Sequence, residues 1–349
     1  MLSKESSNTI NYLKCILCLG VVLIHSQFVP GQSALLGGGN FIDTHWFNEF
    51  RIVFADLFLD HTCVPLYFLV SGYLFFLKFD HEQAKAVLKK KITSRFRSLL
   101  MPYLIANSIY LIVSTMVAFK SGTISKDTLN YLSAYWNYNQ GLPADAPLWF
   151  LRDLILLSVL SPLIYFLLRK LGVVTIFTLT ILWITDIWIP NVGLKGSSTL
   201  FFCIGTFLSL KQVDIIDVLK VQRFHILYTL LYVILLALSY ITKNDVILNV
   251  SILSSFPVWI SFASYMSRSI KKTCPVFFVT GTFFVFMYHY TIALVPPRIL
   301  LYILGTTAPM QFVAFFLGTG ITIVSIFILY TILSKYLPKT TSILVGGRN

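Results

Sequence analysis

Ten apolar runs, separated by polar segments, constrain the fold of this chain more than any other feature of its sequence. A helix needs about 20 apolar residues to cross the hydrocarbon core of a bilayer, and most of the runs approach or exceed that length. They therefore predict an all-α, polytopic integral membrane protein with about ten transmembrane helices. The runs lie at roughly 10–30, 52–79, 98–119, 149–168, 172–189, 196–210, 224–241, 247–266, 275–295 and 308–334.

The composition extends this prediction to the whole chain. Of the 349 residues, 56% are hydrophobic and only 12% are charged, whereas about a quarter of the residues in a soluble domain are charged. No second soluble domain is visible in the sequence. We therefore expect one membrane-embedded domain over residues 1–349, with a helical core from about 10 to 334. Its first helix is expected to be retained rather than cleaved as a signal peptide.

The distribution of charge predicts the orientation of the helices. The net charge is +13, and an even number of spans places both termini on one side of the membrane. In this arrangement 20 of the 27 basic residues fall on the terminal side. Because basic residues concentrate in cytoplasmic loops, both termini are predicted to be cytoplasmic. The positive charge thus reflects topology, and no nucleic-acid partner is expected.

The first apolar run contains a histidine that needs a partner or a function. An imidazole is costly within a bilayer, and His25 lies deep in the run 11–29. Lys14 precedes it by eleven residues, which on a helix corresponds to about 16 Å along the axis and an offset of about 20°. Both side chains are thus predicted on one stripe, with Lys14 near the cytoplasmic surface. The structural alternatives are a hydrogen bond between helices for His25 and a topology or snorkelling role for Lys14.

A cluster of basic residues precedes the third run. Five cations fall within nine residues, from Lys89 to Arg97, and they include Arg95. Positioned cations attract anionic lipid or a ligand with several phosphates. A plain stop-transfer signal is the alternative interpretation.

Other candidate residues stand in or at the ends of later runs. Arg152 and Asp153 lie at the outer end of the fourth run, near the expected depth of His25, where they are suited to orient an acceptor or polarise a carbonyl. An interfacial ion pair is the alternative for these two residues. His289 in the ninth run is suited to carry a proton or to pack. Further candidates for substrate contact are Ser71, Tyr73, Trp149 and Asp186.

Four segments occur in the order that is typical of the acyltransferase 3 family, and the chain resembles this family of integral-membrane acyl transferases from residue 8 to about 334. The segments are Lys14 with His25, where a basic residue is followed by ten residues and a histidine, then Val64–Tyr73, Arg95–Tyr103 and Leu148–Leu151. The chain departs from the family pattern at Asn11 and Lys14, where Asp and Arg are usual, and in the tight spacing of Arg95 and Arg97.

The resemblance implies an activity and a location. Such enzymes transfer an acyl group, most often acetyl from cytoplasmic acetyl-CoA, to a hydroxyl of a cell-envelope glycan or lipid-linked sugar. This chain is similar to the stand-alone members that modify O-antigen or capsule. We therefore expect a multi-pass protein of the bacterial plasma (inner) membrane whose partners are acyl-CoA, a glycan acceptor and membrane lipids. No metal is expected.

The resemblance, together with the positions of the residues, implies roles for the candidates. His25 is expected to be the general base or the acyl carrier, because a neutral imidazole in apolar surroundings accepts a proton. Lys14, Arg95 and Arg97 are expected to bind the CoA phosphates. The competing function is a transporter or flippase of a glycan precursor or small molecule, for which two similar halves would be typical.

Overall fold

The computed structural model describes residues 2–26, 45–121, 131–136, 141–187, 193–220, 224–270, 273–293 and 295–348. Every regular element in these ranges is helical. Four short segments of other helix types accompany the α-helices in the described ranges: Ile52–Asp60 and Phe96–Leu100 are π-helical, and Ala146–Leu148 and His289–Thr291 are 3-10 turns. The α-helices are α1 (Lys4–His25), α2 (His45–Arg51), α3 (His61–Phe76), α4 (Ala84–Arg95), α5 (Met101–Ser121), α6 (Tyr131–Ala134), α7 (Trp149–Val159), α8 (Ser161–Ile184), α9 (Gly196–Leu210), α10 (Ile215–Leu219), α11 (His225–Thr242), α12 (Asp245–Ser269), α13 (Val276–Tyr288), α14 (Val295–Leu304), α15 (Ala308–Tyr336) and α16 (Pro338–Leu344).

The helices confirm the predicted all-α, polytopic fold class. Within the described ranges, seven helical segments are long and apolar enough to cross a bilayer, and there are eight if the bent pair α13–α14 is counted as one span. The predicted number of ten also counts the shorter α9. The prediction also treats the stretch 149–189 as two spans that separate near residue 170, where the non-helical backbone of Leu171 interrupts α8. The sidedness of the termini stays a prediction.

The chain forms two compact units, each assembled from three separate stretches. The first unit contains Met1–Leu17, Leu57–Phe96 and Asp153–Val279, and the second contains Cys18–Asp56, Arg97–Arg152 and Thr280–Asn349. The expected single membrane-embedded domain over 1–349 stays a prediction. Most of the candidate substrate residues fall in the first unit, whereas His25 and His289 fall in the second.

Close contact between α3 and α9 organises the first unit. A Cβ atom added at Gly205 would lie 1.9 Å from the carbonyl oxygen of Leu69, and one added at Gly72 would lie 2.1 Å from the carbonyl oxygen of Phe202. Small residues let helix backbones approach closely in membranes, where van der Waals packing replaces the hydrophobic driving force. Gly72 of α3 and Gly205 of α9 therefore allow the two helix backbones to pack closely.

Polar contacts fix the ends of other helices in the first unit. Asn244 caps α12, since its side-chain oxygen accepts hydrogen bonds from the backbone N–H groups of Val246 and Ile247 at 2.9 and 3.2 Å. At the other end of α12, Arg268 lies 3.5 Å from Glu5. Such partly exposed pairs contribute little to stability but fix the relative register of helix ends.

An aromatic cluster and a second close approach organise the second unit. Phe47 of α2 is fully buried and packs against the aromatic side chains of α15, with Phe315 among them. A Cβ atom added at Gly318 of α15 would lie 2.7 Å from the backbone nitrogen of Pro297, so α14 packs directly on the backbone of α15. After the 3-10 turn His289–Thr291, the chain thus continues through α14 and then along α15, which packs against α14.

Candidate active site

Two histidines that are 264 positions apart in the sequence meet in the second unit. The ring centroids of His25 and His289 lie 5.5 Å apart, with the ring planes tilted by 41°. His25 is the last residue of α1, and His289 begins the 3-10 turn that follows α13. The thiol of Cys18 ties these helices together, because it donates a hydrogen bond to the carbonyl oxygen of Thr282 at 3.0 Å.

The change in backbone geometry at the end of α13 explains how His289 is positioned beside His25. The backbone of Tyr288 leaves the α-helical region with φ −121° and ψ 0°, so the helix tightens into one 3-10 turn. A turn of this kind often marks the end of an α-helix. Pro296 and Pro297 follow at the start of α14, and a second α-helix therefore begins in a new direction, bent by 62°.

His289 is held in one tautomer. Its side chain is fully buried, and Nδ1 lies 2.8 Å from the carbonyl oxygen of Phe286. Because a carbonyl oxygen only accepts, Nδ1 carries the proton and donates it, which leaves Nε2 as an acceptor in the neutral ring. Among the residues that the structure describes, this Nε2 has no hydrogen-bond partner. His289 therefore presents a buried, uncommitted acceptor nitrogen.

Two tyrosines complete the group of rings. Tyr290 meets His25 edge-on with ring centroids 5.5 Å apart, and Tyr110 of α5 stacks on Tyr290 at 5.4 Å. We call His25, Tyr110, His289 and Tyr290 the ring cluster. His25 is only partly buried, so the cluster combines one accessible imidazole with one enclosed imidazole and two phenols. Such a set can accept a proton and can offer aromatic faces to a ligand.

Arg152 fastens the loop beside the ring cluster. Its side chain is 1% exposed, and Nη1 donates hydrogen bonds to the carbonyl oxygens of Trp136 at 2.7 Å and Gly141 at 2.6 Å. The guanidinium also lies over the ring of Trp136. These contacts give Arg152 a role in holding the loop, and its expected role in catalysis stays a prediction.

Asp153 also has structural contacts, and they lie in the first unit. Its Oδ2 accepts hydrogen bonds from the hydroxyl of Ser198 at 2.7 Å and from the backbone N–H of Lys195 at 3.1 Å. Both donors stand at the start of α9, where backbone N–H groups lack helical partners and an anion is favoured. Consecutive residues of α7 thus bind different elements, and the expected role of Asp153 in catalysis stays a prediction.

The three cations that were predicted to bind the acyl donor lie on different helical elements. Lys14 lies on α1, and its backbone carbonyl accepts a hydrogen bond from the hydroxyl of Tyr67 at 2.6 Å. Arg95 at the end of α4 lies over the ring of Phe75, 5.2 Å from its centroid, and its Nε has no hydrogen-bond partner within the described ranges. Arg97 is exposed and belongs to the second unit.

The four predicted substrate residues are not gathered in one place. Tyr73 is 2% exposed and lines a cavity of about 390 Å³ in the first unit, together with Ser209 and His81. Asp186 is exposed just after α8 with a positive φ of 55°. Ser71 and Trp149 are partly buried on α3 and α7. Three of the four, Ser71, Tyr73 and Asp186, belong to the first unit, and Trp149 belongs to the second.

Sequence reasoning did not single out three residues in or near the ring cluster. Tyr110 and Tyr290 supply two of the four rings, and Asp145 lies close enough to the phenol of Tyr290 to interact with it electrostatically. Tyr290 directly follows His289 in the sequence, so its position next to a candidate residue could have identified it. Asp145 is an acidic residue directly before the fourth apolar run, which was a weaker signal, and Tyr110 is one of many aromatic residues in the runs.

The fold is that of a polytopic integral-membrane protein, and it carries a pair of neighbouring histidines. Comparison with known proteins identifies the family. Residues 7–331 match the family model described as an acyltransferase domain, and the chain belongs to this acyltransferase family. Membership favours the enzyme over the transporter that the sequence left open. No solved structure matches the chain significantly.

A curated relative extends the comparison. The chain is similar to the succinoglycan biosynthesis protein ExoH of Rhizobium meliloti (strain 1021), with 29% identity over 221 residues. The matched region covers 60% of this chain and 55% of that protein, so the chain spans about half the length of the relative.

Proposed function

We propose that this protein transfers an acetyl group from cytoplasmic acetyl-CoA to a hydroxyl group of a cell-envelope polysaccharide or its lipid-linked precursor. The observation that carries the proposal is the pairing of His25 with His289 in a chain of the acyltransferase family. The similarity to a succinoglycan biosynthesis protein supports a polysaccharide acceptor. The composition and family support a multi-pass protein of the bacterial plasma membrane.

His25 acts as the base in the proposed reaction. Its imidazole takes the proton of the acceptor hydroxyl as that oxygen attacks the thioester carbonyl carbon. The new C–O bond forms, the C–S bond breaks, and the leaving CoA sulfur receives the proton from the imidazolium. A transient acetyl group on His25 is the two-step variant of the same chemistry. His25 suits either route because it is the accessible imidazole of the ring cluster.

His289 supports His25 in this mechanism. Its Nδ1 proton is committed to the carbonyl oxygen of Phe286, and Nε2 remains an acceptor. An enclosed acceptor beside the base can hold a neighbouring N–H or O–H donor, which orients the reacting groups without itself titrating. We therefore assign the proton transfer to His25 and a positioning role to His289.

The basic residues of the chain suit the CoA phosphates. Arg95 keeps one guanidinium N–H without a partner in the described ranges, and Lys89, Lys90 and Arg97 are exposed around it in the sequence. Phosphate oxygens accept hydrogen bonds from such positioned cations. Lys14 completes the proposed set on α1, the same helix that ends in His25.

Labelled acetyl transfer tests the proposal. Membranes that contain the protein should transfer radiolabelled acetyl from acetyl-CoA to de-O-acetylated surface polysaccharide from the producing strain. Loss of a general base typically lowers a rate by about 10²–10⁴-fold, so His25→Ala should lose at least about 99% of kcat at equal protein levels. His289→Ala should lose less, because it removes a positioning group.

A matched histidine variant controls for the substitution itself. His225 is exposed at the start of α11, and His225→Ala should keep wild-type activity. A His25→Ala protein that keeps more than about a tenth of wild-type kcat contradicts the assigned role. A wild-type protein that transfers no label to the polysaccharide contradicts the proposed function as a whole.

A further inference from the structure

The carboxyl group of Asp145 has no part in the chemistry described so far. The side chain is 1% exposed, and among the described residues neither carboxyl oxygen has a hydrogen-bond partner. Burial accordingly raises the pKa of Asp145 well above its ordinary value of 3.8. Buried carboxyl groups are nearly always paired or hydrogen-bonded, and an unsatisfied one in a native fold needs an explanation.

The backbone around Asp145 is held by hydrogen bonds, although the carboxyl oxygens accept none from the described residues. The N–H group of Asp145 donates a hydrogen bond to Oδ1 of Asn107 at 3.2 Å, and its carbonyl accepts one from the N–H of Leu148 at 3.0 Å. Asn107 is fully buried on α5, where its amide nitrogen donates to the carbonyl oxygen of Tyr103 at 3.0 Å. These hydrogen bonds therefore fix the backbone position of Asp145, so its carboxyl group does not lie on a loosely held loop.

The loop that carries Asp145 is held on several sides. Arg152 binds the carbonyl oxygens of Trp136 and Gly141, and the N–H of Ala144 donates to the carbonyl oxygen of Ala134 at 2.7 Å. These contacts are independent of the carboxyl group. The loop would therefore keep its fold if the charge of Asp145 were removed.

Asp145 lies next to the ring cluster within the second unit. Its carboxyl group is close enough to the phenols of Tyr288 and Tyr290 to interact electrostatically with both. Tyr290 in turn meets the ring of His25 edge-on at 5.5 Å. Tyr290 is thus a common neighbour of the Asp145 carboxyl group and of the proposed base.

We propose that Asp145 is an acceptor-binding residue, whose carboxyl group receives hydrogen bonds from sugar hydroxyls beside the one that is acylated. Burial without a partner disfavours the charged form of Asp145, whereas hydrogen bonds donated by sugar hydroxyls favour it. The ionised carboxylate then accepts several hydrogen bonds and donates none, which matches the donors that a sugar offers. Binding would satisfy a buried group that the protein itself leaves unsatisfied, so the sugar breaks no existing bond. The contact would also decide which hydroxyl faces His25, and this inference rests on the proposed function.

Asp145→Asn tests the proposal because it keeps the shape of the side chain while removing the charge and one acceptor oxygen. Initial rates should be measured with acetyl-CoA and de-O-acetylated surface polysaccharide, each varied in turn. Hydrogen bonds to charged groups predict that the acceptor KM rises about 10- to 100-fold. The KM for acetyl-CoA should stay at its wild-type value. The variant should keep about the wild-type thermostability, since one buried unpaired polar group is replaced by another of the same shape.

Asp245→Asn provides the matched control, since Asp245 is exposed at the start of α12 and should leave both KM values unchanged. An unchanged acceptor KM in Asp145→Asn overturns the proposal. A variant with lowered thermostability and an equal loss of kcat with every acceptor also overturns it, because those effects indicate a structural role. Both outcomes require an active wild type, whereas failure of the proposed function would leave the wild type itself inactive.

Discussion

Gly205→Ala should loosen the first unit by forcing α3 and α9 apart. The added Cβ atom would lie 1.9 Å from the carbonyl oxygen of Leu69 and 2.8 Å from the backbone nitrogen of Tyr73. Real Cβ atoms essentially never come within 3.0 Å of such neighbours, so the backbones must separate by at least about 1.1 Å at this point. Neither neighbour is a flexible side chain that could rotate away.

The expected cost follows from this displacement. A gap of 0.5–1 Å already forfeits about a quarter to a half of the dispersion energy of the contacts that it opens. Overpacked cores lose typically about 1–3 kcal/mol, and a backbone clash belongs at the upper end of that range. Alanine regains about 1 kcal/mol through its higher helix propensity. The net loss should therefore be about 2 kcal/mol, or about 4–8 °C in Tm for a unit of this size.

Thermal unfolding of the purified protein in one detergent measures this effect. Gly320→Ala is the matched control, because a Cβ atom added at Gly320 of α15 would meet nothing within 4 Å. It should keep the wild-type Tm or raise it slightly. Equal Tm values for Gly205→Ala and Gly320→Ala would show that the close approach of α3 and α9 is not needed for stability, and the reasoning would be wrong.

Three further predictions concern topology, the loop and the donor. Cysteines introduced at the exposed residues Lys85 and Lys243 should react with an impermeant maleimide from opposite sides of the membrane, since all five native cysteines are buried; labelling from the same side contradicts the predicted orientation. Arg152→Met should lower Tm by several degrees and speed proteolysis of the adjoining loop, because two buried carbonyl oxygens lose their donor, and an unchanged digestion pattern would rule this role out. Replacing Arg95 and Arg97 with Ala should raise the acetyl-CoA KM more than it lowers kcat, and an unchanged donor KM would leave these residues as a topology signal.

The sequence was sufficient to predict the helices and their class. Apolar length and composition are local properties, and a bilayer-spanning backbone satisfies its polar groups most simply as a helix. The ten predicted runs therefore recur as helical segments, and even the division near residue 170 coincides with the kink at Leu171. His25 also stood out by chemical type alone, because an imidazole is rare in an apolar run.

The partners of the polar side chains were decided only by tertiary structure. Arg152 and Asp153 are adjacent in the sequence, yet Arg152 donates hydrogen bonds to a loop while Asp153 accepts hydrogen bonds at the start of α9. A run of apolar residues shows that a side chain is buried without showing which helix covers it. The meeting of His25 with His289 and the enclosure of the Asp145 carboxyl both depend on elements that are distant in the chain. Hydrophobic pattern thus determined which segments enter the membrane, whereas close helix packing determined which chemical groups meet there.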